Sequence, residues 1–267
     1  MKLEEVQILR KYVIPMLSKI NLGNIRITHH YTGDKILIHS FRHKGYWYHG
    51  KKREYDTMIS FQKLLYRGDT VIEIGGHIGY ITLWLSRLVG PEGHVHVFEP
   101  GHNNLPYIRH NIREKSNVSL IEKGAGSKEE VLTFYLDNLT GQNNSFIENH
   151  EAFESAKANA YVKNANLHHV KVNVIPVDDY VNHQNISTAF IKIDVESYEC
   201  EVIKGLIKTL KNQKPIMMVE IAPENTDWVY QTMHSLDYIG YSQTLKKLSN
   251  HQHGNIFFIH SSKSQLL

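Results

Sequence analysis

Apolar positions change their spacing along this chain, and the changes mark out its elements. From Leu3 to Ile20 they recur at helical intervals, and NIRITHH and KILIHS then alternate around a TGD turn, as in a hairpin. A helix is predicted over about Tyr55 to Tyr66. From Thr70 onward short apolar runs alternate with helical stretches: TVIEI, helix, HVHVF, helix, NVSLIE, and later AFIKIDV, helix, PIMMVEI, helix. This rhythm predicts an α/β fold with a mostly parallel sheet and helices on both faces. YIGYSQTLKKL and NIFFIH close the chain as an antiparallel hairpin on the sheet edge, and SSKSQLL reads as a frayed tail. Residues 1–54 form an N-terminal helix-and-hairpin appendage in this reading, and 55–267 the α/β domain.

One segment breaks the rhythm. Between EVLTFYLD and VKVNVIPV, roughly Asn138 to His169, the chain is polar and rich in Asn, Ala and His, with no strand period. Long connections of this kind are either binding elements or plain surface insertions, and both readings stay open.

Composition narrows the function classes. A chain of 267 residues with 41% hydrophobic content can bury one large α/β core. The net charge of +3 is too small to announce nucleic-acid binding, and the only basic run, Lys51 to Arg53, reads as a solvated face. A single cysteine, Cys200, excludes an intrachain disulfide and a thiolate zinc site. Glu4, Glu5 and Arg10 interrupt the N-terminal apolar residues, and no run approaches the ~20 apolar residues that span a bilayer. The expectation is a soluble, cytoplasmic protein without a membrane span.

The chemistry concentrates at VIEIGGHIGYITLWLSRLVG. In open parallel sheets the ligand sits beyond the carboxyl ends of the strands, where the first strand turns into its helix. Gly75, Gly76 and Gly79 occupy that turn, and their missing side chains permit tight conformations and close approach to a ligand. In the helix that follows, Ile78, Ile81, Leu85 and Leu88 read as the apolar stripe, and Gly90-Pro91 stops it. Glu73 stands two positions before the glycines. An ionised carboxylate there repels a pyrophosphate and attracts a cation, so S-adenosylmethionine, with an ammonium, a sulfonium and no phosphate, suits the turn better than a nicotinamide dinucleotide. Glu99 ends the next strand, where an acidic residue binds ribose hydroxyls in several adenosine-binding families.

VIEIGGHIGYITLWLS, HVHVFEPGHNNLPYIRHNI, AFIKIDVESYECEVIKGL and PIMMVEIAPEN together resemble the successive motifs of the FkbM family of S-adenosylmethionine-dependent methyltransferases. The resemblance covers roughly Asp56 to Asn225. It implies a class I (Rossmann-like) methyltransferase fold, with a seven-stranded sheet containing one antiparallel strand. It also implies methyl transfer to a hydroxyl of a sugar, glycan or natural product. Carried over by position, Glu73, Gly75, Gly76 and Gly79 surround the methionine end of the cofactor, Glu99 holds the ribose, and Gly124 and Ala125 lie near adenine. Two residues depart from the family pattern. His77 replaces the usual Asn, which alters one cofactor contact, and Ser197 replaces a Gly, where it reads as a harmless helix N-cap.

Asp194 and Glu196 follow the strand FIKIDV and are the catalytic candidates; their structural alternatives are an ion pair with Lys192 or capping of the next helix. For Lys192 itself an ion pair is the expected role. As a catalytic group, Asp194 accepts the proton of an acceptor hydroxyl, or else Asp194 and Glu196 hold a divalent cation. Glu220 is a candidate pocket wall. His94 and His96 share a strand face, a coincidence to be expected among 18 histidines, and no metal site is expected. The rival readings are a NAD(P)-dependent oxidoreductase, opposed by Glu73; a nucleic-acid methyltransferase, opposed by the near-balanced charge; and a binding protein that keeps the cofactor but no longer reacts.

Overall fold

Alternation along each strand decides which residues enter which core, because successive side chains point to opposite faces. The computed structural model describes residues 22–137, 141–148 and 167–266. The hairpin consists of β1 (Asn24–Thr28) and β2 (Lys35–His39), paired antiparallel with Asn24 opposite His39. A short helix α1 (Lys44–Tyr48) and α2 (Tyr55–Leu64) lead into β3 (Thr70–Ile74), α3 (Tyr80–Val89), β4 (His94–Phe98), α4 (Leu105–Ile112) and β5 (Val118–Ile121). After β6 (Gly124–Ala125), β7 (Glu130–Asp137) and β8 (Leu167–Ile175) come α5 (Val177–His183), β9 (Phe190–Ile193), α6 (Glu199–Lys204) and α7 (Ile207–Gln213). The chain continues through β10 (Ile216–Ile221), α8 (Thr226–Ser235), β11 (Tyr238–Tyr241) and β12 (Gly254–His260).

Seven strands form the main sheet in the order β11-β12-β10-β9-β3-β4-β5. Only β12 runs against its neighbours, pairing antiparallel with β10 and β11. Val71, Val95, Phe190 and Met218 point into one core with β2, α1, α2, α3 and α4, whereas Ile72, Ile191, Met217 and Val219 point into the other with α5, α6, α7 and α8. This is the class I methyltransferase arrangement, with the C-terminal hairpin inserting β12 inside the edge strand β11.

A second sheet, in the order β6-β8-β7, is not announced by the sequence rhythm. There β7 and β8 pair antiparallel along their length, so that Asp137 faces Leu167 and both ends of the long connection meet. Residues 141–148 fold back on β7 through reciprocal backbone hydrogen bonds between Tyr135 and Ser145 of 2.8 and 3.1 Å. The expected helix over Leu3–Ile20 and most of the insertion lie outside the described residues.

Three local expectations change. Helix α3 begins at Tyr80, after Gly79 at φ +82°, so Ile78 precedes it; Leu83, Trp84, Leu85 and Val89 are buried, while Ile81 and Leu88 are only half-buried. The C-terminal segment is ordered as a 3-10 helix over Ser261–Leu266, because Ser261 donates to the Asp237 carbonyl at 2.8 Å and Ser262 pairs with His260 Nδ1 at 2.8 Å. Ser197 is not an N-cap; it stands one residue too early, and Tyr198 occupies the cap position. Among the described residues no helix is long and apolar enough to cross a membrane.

Candidate active site

The turn after β3 is held by its neighbours on both sides. The amides of Gly75 and Gly76 both donate to the Phe98 carbonyl, at 3.0 and 3.1 Å. Gly75 has φ +88°, and a Cβ there would run into the Asp194 backbone carbonyl, so glycine is required for two strand ends to approach. A Cβ on Gly76 would meet Val97 and Ile108. These glycines therefore also serve packing within the protein, beside the cavity that both of them line.

Glu99 is buried and binds this turn. Its carboxylate accepts from the His77 amide at 2.6 Å, the Gly101 amide at 2.8 Å and Asn104 Nδ2 at 3.3 Å. Burial pushes its pKa up to about 7 despite these donors. His77 has φ +49°, a left-handed conformation uncommon for a residue with a side chain. Its Nδ1 lies 3.1 Å from the Tyr46 hydroxyl, which ties the N-terminal segment to the turn.

Side chains at alternate positions of β3, β9 and β10 bring a charged row to the same face. Glu73 and Lys192 are cross-strand partners, and both are shut off from solvent. Burial raises the Glu73 carboxyl to about 7 against the opposing charge of Lys192, and neither Glu73 oxygen has a hydrogen-bond partner. Lys192 Nζ donates to Asp194 Oδ2 at 3.0 Å and to the Gly75 carbonyl at 3.1 Å. Burial disfavours its charge, but Asp194 and Glu73 outweigh that and hold it protonated. The ion-pair reading of Lys192 therefore describes its contacts. Burial likewise opposes the ionised form of Asp194, and Lys192 with a hydrogen bond from Glu220 overcomes it, keeping Asp194 below the ordinary carboxylate range. The Asp194 charge, above all, pushes Glu220 well above that range, although Glu220 is exposed at the cavity rim.

Glu196 differs from its neighbours. It has φ +49° and Ser197 φ +72°, two successive left-handed residues, the strained kind of backbone that clusters at functional sites. Burial, then the nearby Asp194 charge, push its pKa up to about 8. Its carbonyl accepts from Ser145 Oγ at 2.5 Å, which fastens segment 141–148 over this loop.

A cavity of about 280 Å³ opens at the carboxyl ends of these strands. Every residue expected from the sequence to form the site lines it except Gly79, whose left-handed backbone starts α3 against Ile108 and Ile112. Gly124 and Ala125 line the cavity as β6, with Phe146 packed against Gly124 and against Phe134 and Tyr198. Tyr46, Arg53, Asn104 and Phe146 also line the cavity and were missed in the sequence. Arg53 corrects the reading of the basic run, since Lys51 and Lys52 are exposed while its guanidinium turns inward. His94 and His96 bind Ser119 and Tyr180, at 2.8 and 2.9 Å, and among the described residues no group of three or more His, Cys, Asp or Glu side chains is placed to hold a metal ion.

The sequence profile of the methyltransferase FkbM domain matches residues 73–242, from the glycine turn to the C-terminal hairpin. The chain belongs to the FkbM methyltransferase family. A comparison with curated proteins gives no match. Among solved structures, the FkbM methyltransferase of Methylobacillus flagellatus KT is similar at 18% identity and a TM-score of 0.48, over 74% of this chain and 48% of that one. This chain thus spans about half the length of that protein. The S-adenosylmethionine-dependent O-methyltransferase of Thermotoga maritima is similar at 12% identity and a TM-score of 0.43, over 76% and 63% of the two chains. Fibrillarin of Aeropyrum pernix, solved with S-adenosyl-L-methionine, is similar at 9% identity and a TM-score of 0.42, over 73% and 68%.

S-adenosylmethionine is the cofactor expected of an FkbM methyltransferase. The residues present fit it: Asn104 Oδ1 and Arg53 Nε are buried without hydrogen-bond partners, and the Lys192–Asp194 pair, Glu99 and the small residues of β6 all line the cavity.

Proposed function

We propose that this FkbM methyltransferase methylates a hydroxyl oxygen of a sugar, glycan or natural product. When bound, S-adenosylmethionine supplies the activated methyl group on its sulfonium. Glu73, Asp194, Glu99, Gly124 and Ala125 are read as the walls that receive the cofactor from its methionine end to its adenine.

Glu196 carries the proposal. A hydroxyl must give up its proton to act as a nucleophile, whereas a neutral amine attacks without doing so, and a general base works best with a pKa near the working pH. Glu196 lines the cavity with a pKa of about 8, whereas Asp194 is bound to Lys192 and held below the ordinary range. The assignment is therefore Glu196 as proton acceptor and Asp194 as the ionised group that fixes Lys192 and the glycine turn. The near-balanced charge supports a small or saccharide acceptor over a nucleic acid.

The test is release of S-adenosylhomocysteine with matched panels of saccharides, phenolic natural products and amines. Turnover on a hydroxyl, abolished in Glu196→Gln with cofactor affinity kept, supports the reading. Turnover on amines alone overturns it, and cofactor binding without turnover on any panel member favours the inactive binding protein.

A further inference from the structure

Arg53 has no role in the reaction described so far, yet it is built into the cavity. Its guanidinium lies 4.6 Å over the ring of buried Tyr46, whose hydroxyl meets His77 in the glycine turn. Gly45 leaves the room it needs, because a Cβ at that position would come within 2.7 Å of Nη1. The Nε is buried without a hydrogen-bond partner, and the guanidinium makes no ion pair among the described residues. An arginine always carries its charge, and leaving buried donors unmatched is unfavourable. A planar guanidinium that lines a cavity and keeps an unmatched buried Nε donor, while Tyr46 engages its other side, is complementary to an oxyanion such as a carboxylate.

We infer that Arg53 binds the carboxylate at the methionine end of S-adenosylmethionine; the inference rests on the cofactor reading above. Two sources of an oxyanion exist here, the cofactor and an acidic acceptor, and the surrounding charges favour the first. Glu54 and Asp194 both act on Arg53, so a simple anion would meet repulsion beside its partner. An α-amino-acid head carries an ammonium as well as a carboxylate and suits a site with a cation and anions on facing walls. Arg53 also reaches the glycine turn through Tyr46 and His77.

The test is calorimetry with S-adenosylmethionine and with its decarboxylated analogue, which keeps the ammonium, sulfonium and adenosine. Wild type should prefer the carboxylate-bearing form by roughly tenfold to a hundredfold, the range of a charge-assisted pair. Arg53→Gln should bind both alike, and Arg53→Lys should keep part of the preference. Because no salt bridge is broken and only the contact with Tyr46 is lost, Arg53→Gln without cofactor should melt only slightly lower than wild type, and a marked drop would make Arg53 a structural residue and overturn the inference. Gly45→Ala, which crowds the guanidinium without removing it, should lose an intermediate share of the preference. If Arg53→Gln keeps the full preference, the carboxylate binds elsewhere. If it leaves cofactor binding intact and raises only the acceptor KM, the oxyanion is the acceptor's and the inference falls. Wild type that binds neither form removes the cofactor reading itself, an outcome distinct from wild-type binding without carboxylate preference.

Discussion

Glu73 and Lys192 face each other across β3 and β9 at 3.7 Å, both fully closed off from solvent. Removing one partner of a buried pair leaves an uncompensated charge, at a cost of about 3–5 kcal/mol. Lys192→Met should therefore lower the urea midpoint strongly, and adding Glu73→Gln should recover part of the loss. A loss under about 1 kcal/mol in the single variant would mean that Glu73 folds as the neutral acid.

The base assignment predicts a pH dependence with a definite sign. A base must be deprotonated to act, so kcat/KM for the acceptor should rise as pH passes through the pKa of Glu196, about 8 in the free protein. A bound sulfonium moves this limb to lower pH. Glu196→Gln should lose the limb and about 10²-fold or more in kcat. An unchanged profile in that variant would return the role to Asp194, where Asp194→Asn would carry the loss.

Ser197 pays for its position in a conformation that glycine adopts freely, at φ +72°. Its hydroxyl donates to the exposed Glu224 at 2.6 Å, a bond of small net worth. Ser197→Gly should stabilise the protein by up to about 1 kcal/mol, seen as a slightly higher melting temperature. Destabilisation by that amount would show that the Glu224 contact outweighs the backbone strain.

Glu199 is buried, and burial pushes its pKa up to about 7 although Asn225 and the Ser197 amide donate to it at 2.6 and 2.9 Å. A carboxyl whose folded pKa lies above its unfolded value holds its proton more tightly when folded, so its contribution is full below about 4.5 and lost as pH rises through about 7. Buried His29 and His43, lowered by desolvation to about 4 and about 2, oppose this only below about 6.5. Melting temperature should fall between about pH 6.5 and pH 8, and fall less in Glu199→Gln. Equal slopes in both proteins would show that Glu199 is already ionised at the lower pH.

The sequence by itself determined the repeating strand-helix frame, the faces of the strands and the glycine turn, because these depend on neighbours two to four residues apart. The alternation in FIKIDV put Lys192 and Asp194 on one face before any pairing was known. Four ordered motifs were enough to point to the FkbM family.

Only the tertiary structure decided the electrostatic setting of those groups. Glu73 is neutralised by Lys192 because β3 and β9, far apart in the chain, are adjacent in the sheet. The carboxyl of Glu196, and not that of Asp194, has a raised pKa, because Lys192 holds Asp194 ionised while burial and the Asp194 charge act on Glu196. Arg53 turns inward because Gly45 and Tyr46 make a slot for it, and the left-handed backbone at Ser197 follows from the path of the loop beyond β9. Charge and residue type are written in the sequence, but desolvation and distance set their energies, and both arise when remote segments pack together.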